Sequence, residues 1–299
     1  MKLIKQSHEI LTDFSKYDGK SADELKQIIF SEIEVAGRTC YKSEENIKEG
    51  SAENFTNRMI KSEHGAMLEA GSVYLLMPNG CELDKYISNS YSKCNRIIYS
   101  HDFAVTTNYR ILIENNWLDD LQYICSPTPF HELRVSVRFI CDRAVQNQLV
   151  RHRSMSFAVQ SQRYCNYSKD KFGNEVSFIL PSWMDDKQLG VHDSKCMSDA
   201  SKNIDTFCES DRAEITFLKS MSDSEQAYFE LLKMGLKPEQ ARSVLPNATA
   251  TEMVVTGFVS DWIKLFNLRT DKSAHPDMIA LIEPLKSEFK ERGWWKDEM

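Results

Sequence analysis

The sharpest hydrophobic pattern in the chain is ELRVSVRFICD, where Leu133, Val135, Val137 and Phe139 alternate with Arg134, Ser136 and Arg138. A period of two predicts a half-buried strand with its apolar set inward and its polar set outward. At Asp142 the period lengthens: DRAVQNQLVRHR puts Val145 and Leu149 on one helical stripe, with Asp142 placed to cap and Gln148 three residues before Arg151. Upstream, SADELKQIIFSEIEVAG predicts a helix capped by Ser21, with an acid three positions later. ENFTNRMIKSEHG predicts a second helix stopped near Gly65, GSVYLLMP a strand closed by Pro78, and TTNYRILIENN a helix with Thr107 near its start. Downstream, EVSFILP and TATEMVVTGFVS are strand-like. From Asp211 to Met234 apolar residues recur at helical spacing, as one long helix or two in succession, ended by Gly235. KPEQARSVLP predicts a short helix with Pro238 in its first turn, SDWIKLFNLRT a helix capped by Ser260, and a last helix runs from about Pro276 to Arg292. Strands and helices alternate without regular βαβ spacing. The expected fold is therefore α/β or α+β, a central mostly antiparallel or mixed sheet covered by helices, and not a Rossmann domain.

Composition narrows the function classes. The chain has 299 residues, 41% hydrophobic and 10% aromatic, enough for one large core or two ordinary ones. No linker, repeat or low-complexity tract divides it, so one continuous domain over 1–299 is expected. A formal net charge of −7 gives no general attraction to nucleic acid or to an anionic membrane. MKLIKQSHEI lacks the apolar run of a signal peptide and no later segment has the length of a membrane span, so a soluble cytoplasmic protein is expected. The eight cysteines form no CxxC pair; they read as reduced structural thiols, and no metal site is expected.

Against that acidic background stands QLVRHRSMSFAVQSQRY, residues 148–164. Arginine offers a planar fork of donors that stays charged, so Arg151, Arg153 and Arg163 converging on one place would suit a phosphate, a carboxylate or an anionic ring. His152 could hydrogen-bond a cofactor, and Ser156 and Ser161 add small donors. The alternative is a solvated helix end whose cations complement the helix dipole. Serine hydrolysis is disfavoured, because there is no GxSxG elbow and His152 lies too close in sequence to Ser156 and Ser161 to announce a triad.

The longer pattern, RHR followed by seven residues and then Ser161, resembles the signature of the flavin-dependent thymidylate synthases, with Ser156, Ser161, Arg163 and Tyr164 in place. Further blocks follow in that family's order. AGRTCYKS, residues 36–43, is similar to its A-x-R-x-x-Y/F block, and HGAMLE, residues 64–69, to the block with His and Glu five apart. ARSVLP, residues 241–246, and LFNLR, residues 265–269, resemble two late blocks that each contribute an arginine. The similarity runs over roughly 30–285, with 79–131 looking like an insertion.

The resemblance implies reductive methylation of dUMP to dTMP, with methylenetetrahydrofolate as carbon donor, FAD as hydride carrier and NADPH as reductant. It implies that Arg269 stabilises negative charge on the uracil as C5 becomes nucleophilic. Gln148, Arg151, Ser161, Gln162, Arg163, Arg242 and Arg269 match the positions around dUMP. His64, Glu69, Arg151, His152 and Arg153 match positions on the flavin and folate side. Ser161 is expected to bind rather than attack, because nothing nearby would lower its pKa. A homotetramer with sites shared between subunits is implied.

The chain departs from the pattern in several places. Ala158, Val159 and Gln160 replace an Asn-Glu or Gln-Glu pair before the signature serine, and Ala66 stands where short members have Ser or Thr. Phe258, Ser260 and Lys264 occupy positions of FAD-holding Asn and Arg, with Lys264 a candidate to restore lost positive charge. Two other readings remain open on these residues: a related flavin and folate enzyme making a different 5-substituted pyrimidine nucleotide, and a non-catalytic nucleotide or single-stranded RNA binder stacking bases on Tyr164 and Tyr167.

Overall fold

A computed structural model describes residues 1–163, 165–169, 173–192 and 208–295. Tyr164 of the signature and Cys196 lie outside the described residues. The first half of the chain contributes β1 (Lys2–Ile4), β2 (Ser7–Ile10), α1 (Ala22–Tyr41), α2 (Ser51–Lys61), α3 (Gly65–Leu68) and β3 (Ser72–Met77). It continues with α4 (Asp84–Ile87), β4 (Lys93–Arg96), β5 (Phe103–Asn108), α5 (Tyr109–Glu114), β6 (Arg134–Asp142) and α6 (Arg143–Leu149). Then come β7 (Ser156–Val159), β8 (Ser177–Ile179), β9 (Gly190–Val191), α7 (Glu209–Lys233) and α8 (Pro238–Ala241). The last elements are β10 (Ala250–Phe258), α9 (Val259–Arg269) and α10 (Pro276–Glu291). The expected class holds: mixed and antiparallel sheets covered by helices.

The central sheet has the order β2-β6-β10-β7 and is antiparallel throughout. Its longest pairing runs the length of β6 and β10, from Arg134 opposite Phe258 to Asp142 opposite Ala250. The alternating apolar set of β6 behaves as its period demands: Val135, Val137, Phe139 and Cys141 are buried with Met253 and Val255 against Trp262, Phe266, Leu281 and Phe289 from α9 and α10. A second antiparallel sheet, β3-β5-β4, draws two of its strands from residues 79–131. A small third sheet, β8-β1-β9, pairs β1 in parallel with β8 and antiparallel with β9.

Helix α1 lies between the two larger sheets. Its Ser21–Glu24 capping box forms as the sequence predicts. Ile29 and Ile33 join the core of the β3 sheet, while Ala36 and Cys40 pack with Ala158 and Val254 of the central sheet. This second layer corrects the reading of β6 as half-buried. Arg134 is 3% exposed and Ser136 is also buried. Two of the three polar residues are covered, Ser136 Oγ lying 2.7 Å from Thr256 Oγ1, while Arg138 stays half-buried and donates to Glu252 at 2.8 Å.

Three boundaries also move. α2 ends at Lys61, so Gly65 opens α3 rather than stopping α2. Thr107 belongs to β5, and Asn108 caps α5 by accepting from the Ile111 amide at 3.2 Å. Ser260 does not cap α9; Phe258 holds the cap position and the Ser260 amide donates to Glu132 Oε1 at 3.0 Å, a remote carboxylate doing what a local hydroxyl was expected to do. The short β1, β2, β4, β7 and β9 have too few residues to show a period and were not foreseen. α7 is a single helix. Among the described residues no helix is long and apolar enough to cross a membrane.

Arg134 joins the layers. Its guanidinium donates to the Glu69 carbonyl at 3.0 Å, Ser72 Oγ at 3.4 Å, the Thr107 carbonyl at 3.5 Å and Ser156 Oγ at 3.5 Å. Burial holds its pKa below the usual arginine value. Replacing it by methionine leaves two buried carbonyls without their donor, so Arg134→Met is expected to cost about 3 kcal/mol of unfolding free energy. Urea denaturation measures this; a loss well under 1 kcal/mol would remove the bridging role.

Candidate functional site

The basic island is built on α6. Asp142 Oδ1 accepts from the Val145 amide at 2.6 Å, which starts the helix, and Val145 and Leu149 anchor it to the core. After Val150 the chain folds back: the His152 amide donates to the Leu149 carbonyl and the Met155 amide to the His152 carbonyl. Met155 fits beneath this turn because position 257 has no side chain; a Cβ there would lie 2.7 Å from the Met155 methyl. The turn leaves Arg151 and Arg153 exposed and His152 half-buried.

The last residue of α9, Arg269, reaches this turn. Its Nε donates to His152 Nε2 at 2.9 Å and its Nη2 to the Gln148 carbonyl at 3.0 Å. Burial, and then the adjacent Arg269 charge, push the His152 pKa down to about 4. The imidazole is therefore neutral at pH 7 and Nε2 is free to accept. Burial, and then the Arg151 charge, lower the pKa of Arg269 itself. Gln148, Arg151, His152 and Arg269 thus form one cluster at the C-terminal end of α6, with Arg153 on the adjoining exposed turn.

A second cluster sits at the other end. Arg143, the first residue of α6, donates to Thr251 Oγ1 at 3.4 Å and has its pKa lowered by burial, and further by the charge of Arg242. Arg242 begins the 3₁₀ turn Arg242–Val244 that follows α8. The Tyr167 side chain is buried near Gln162 and Arg143, and burial pushes its pKa up to about 12, so its hydroxyl is neutral. The Ser161 amide donates to the Cys40 carbonyl, and the Ser161 carbonyl accepts from the Cys165 amide, so the signature loop is stitched to the end of α1. Arg163 is exposed on this loop. A cavity of about 360 Å³ lined by Gln160, Tyr167, Thr251, Glu252 and Lys42 opens beside it. Seven helical residues separate the two clusters, about 10 Å along the α6 axis.

His64 and Glu69 form a third group around α3. The Tyr41 hydroxyl lies 3.3 Å from His64 Nδ1. Arg110 donates to Glu69 Oε1 at 2.5 Å, so the Glu69 carboxylate is already paired, while its carbonyl is held by Arg134.

Charge pairing distinguishes the arginines. Arg38 is matched by Glu34, Arg110 by Glu69 and Glu114, and Arg138 by Glu252. Among the described residues, Arg151, Arg153, Arg242 and Arg269 have no carboxylate within ion-pair distance. Arg269 spends two of its five N–H donors on neutral acceptors and keeps three. Guanidiniums without a carboxylate partner are suited to an anion, and the half-buried Arg269 with the exposed Arg151 and Arg153 fits a pyrophosphate or an anionic ring.

The departures have structural counterparts. Val159 pairs with Met253 and packs against the main core, while Ala158 is buried under α1, so the strand that carries an acid in other members is apolar here. Phe258 is buried beneath the Arg134 guanidinium. Lys264 pairs with Asp261 at 3.2 Å, so its charge is locally matched rather than offered to a phosphate. Ala66 is exposed on α3. Sequence reasoning missed Arg143, although it stands eight positions before Arg151 on the same helical run. It also missed Arg110, whose pairing with Glu69 had no signal in the sequence. Among the described residues no group of three or more His, Cys, Asp or Glu side chains is placed to hold a metal ion.

The sequence profile of the Thy1 family, thymidylate synthase complementing protein, matches residues 88–292, a span that contains every candidate residue except His64 and Glu69. The flavin-dependent thymidylate synthase of Geobacter sulfurreducens is 30% identical over 145 residues, 48% of this chain and 51% of that one. The flavin-dependent thymidylate synthase of Haloarcula marismortui is 35% identical over 118 residues, 38% of this chain and 45% of that one. The matches therefore span about half the length of these curated relatives. Among solved structures, the UMP/dUMP methylase PolB from Streptomyces cacaoi bound with 5-Br dUMP aligns at 15% identity with a TM-score of 0.41, covering 97% of this chain and 93% of that one.

The neutral His152 has a measurable consequence. With its folded pKa near 4 and its ordinary value 6.5, the unfolded chain takes up the proton first as pH falls, so stability is lost between about pH 6.5 and about pH 4. His152→Gln keeps an acceptor for Arg269 and does not titrate. Its melting temperature is expected to fall less steeply across that window than the parent's; identical slopes would show that His152 is not the group responsible.

Proposed function

This chain belongs to the thymidylate synthase complementing protein family, and on that premise we propose that it converts dUMP to dTMP with methylenetetrahydrofolate as carbon donor, FAD as hydride carrier and NADPH as reductant. The observation that carries the reading is the set of guanidiniums from distant parts of the chain, Arg151, Arg153, Arg242 and Arg269, that lack carboxylate partners among the described residues. Other described arginines, such as Arg58, Arg96 and Arg292, also lack an ion-pair carboxylate, so what supports an anion site is convergence: Arg269 meets His152, the Gln148 carbonyl and Arg151 at one end of α6, and Arg242 lies close to Arg143 at the other.

In this proposal Arg269 faces the N3 and O2 edge of the uracil. Its orientation is fixed by His152 and the Gln148 carbonyl, so its remaining donors stabilise ring negative charge as C5 becomes nucleophilic, with little reorganisation. Arg151 and Gln148 flank the same nucleotide. Arg242, Arg163, Ser161 and Gln162 receive the phosphate, with Arg143 and Tyr167 supporting them from α6 and the signature loop. Bound FAD supplies the hydride that turns the transferred one-carbon unit into a methyl group. Arg151, His152 and Arg153 would hold it through its pyrophosphate and ring edge, with His64 and Glu69 on the flavin and folate side. Glu69 acts there while paired to Arg110, which fixes the orientation of its carboxylate.

The two basic clusters lie at opposite ends of α6, which supports a site completed by a second copy and, in the family's manner, a homotetramer. Residues 1–299 are proposed to act as one functional unit with 79–131 as an insertion, in a cytoplasmic setting consistent with the seven free cysteines among the described residues. The apolar Val159 favours, as a second reading, a relative that attaches a different substituent at C5.

Tritium release from C5-labelled dUMP in the presence of FAD, methylenetetrahydrofolate and NADPH tests the activity, and product mass tests the methyl group. Arg269→Ala is expected to lower turnover by about 10²-fold or more with an unchanged circular dichroism spectrum; full activity would refute its role. Arg269→Ala and Arg242→Ala, each inactive alone, are expected to recover activity when co-expressed, because a mixed oligomer carries some sites with both arginines. No recovery in a verified mixed oligomer would mean that each site is built within one chain.

A further inference from the structure

A separate cavity of about 340 Å³ lies on the far side of α1, within the size range of small-ligand pockets. Ile10, Leu11, Ile28, Val35 and Val254 make an apolar strip in a mixed wall, to which Ser31, Thr12 and Ser136 add hydroxyls. Glu32 lines it too. That carboxyl is enclosed by protein and touched by solvent only in part. Its Oε1 accepts from the Tyr17 hydroxyl at 2.7 Å and its Oε2 from the Ser72 amide at 2.8 Å.

Neither partner carries charge, and among the described residues no basic side chain pairs with Glu32. Arg134 is near enough to be felt electrostatically but spends its donors on Glu69, Ser72, Thr107 and Ser156. With no direct ion pair and only the more distant charges of Arg134 and Lys16 to offset it, ionising this enclosed carboxyl is costly, so the site favours either a proton or a cationic guest. Each Glu32 oxygen retains acceptor capacity. The mouth carries exposed Glu9 and Asp13, with Lys16 the one basic side chain lining the cavity.

From this geometry we propose that the cavity between α1 and residues 9–17 binds a small aliphatic primary amine in its ammonium form, with the head on Glu32 and the stem along Ile28, Val35 and Val254. An ammonium supplies up to three N–H donors where the protein offers acceptors, and the short apolar strip suits an alkyl stem better than a ring of polar groups. A metal ion fits less well, because both carboxylate oxygens already receive protein donors. The site shares no residue with the nucleotide clusters and does not depend on the proposed activity.

Butylammonium is the probe, with 1-butanol as its neutral counterpart at matched ionic strength. At pH 8 butylammonium is expected to give a saturable rise in melting temperature and a calorimetric binding isotherm, and 1-butanol neither. Burial pushes the Glu32 pKa up to about 7, so the affinity should fall roughly tenfold from pH 8 to pH 6 as the carboxylate takes up a proton. The charged and titratable groups around Glu32 are Lys16 and Tyr17, Tyr74 on β3, Arg134 on β6, and Glu9 and Asp13 at the mouth. Glu32→Gln should abolish binding. Ser31→Phe, at an exposed α1 position that fills the cavity without touching the carboxyl, should do the same and decides the matter if Glu32→Gln fails to fold. The proposal is overturned by no saturable binding at pH 8, by equal binding of 1-butanol, or by binding that survives Ser31→Phe.

Discussion

One buried guanidinium holds the layers of this molecule in register. Arg134 begins the central strand β6, yet its hydrogen bonds end on β3, β5, β7 and the residue after α3. A charge taken out of water is tolerated only where every donor finds an acceptor, so the two larger sheets cannot slide relative to each other without leaving it unsatisfied. The same contact fixes the Glu69 backbone, and Arg110 fixes its carboxylate. The position of α3 beside the signature loop therefore follows from satisfaction of a core arginine rather than from local preference.

With the layers fixed, α6 acts as a spacer. Its apolar stripe is locked into the main core, and it carries basic side chains at both ends. Positive charge at the C-terminal end agrees with the helix dipole; the charge of Arg143 at the N-terminal end opposes it and is uphill for folding alone. The structure carries that cost where Arg143 lies close to Arg242 and Tyr167. Neutral His152 shows the same logic at the other end, since a protonated imidazole would face Arg269 across 2.9 Å. Val159 is spent on apolar packing and Lys264 on its pair with Asp261, so neither position offers an unmatched charge.

Much of this was legible before any coordinates. The strand–helix switch at Asp142, the capping box at Ser21, the helices ending at Arg269 and beginning at Pro276, and the β10 strand all follow from periodicity and end signals, because those depend on neighbours along the chain. The island at 148–164 stood out as basic in an acidic chain, and its spaced pattern pointed to the family that the profile match establishes.

What the sequence by itself determined, then, was which residues carry charge, which stripes are apolar, and to which family the order of motifs belongs. Tertiary structure alone decided that Arg134 and Ser136 on the polar face of β6 are covered, that Glu132 rather than Ser260 caps α9, and that Arg269 meets His152 across 117 positions of chain. It also separated arginines with carboxylate partners from those without. The reason is physical: pairing and burial depend on distances between segments far apart in the chain, and period and propensity contain no information about which remote group will arrive to satisfy a charge.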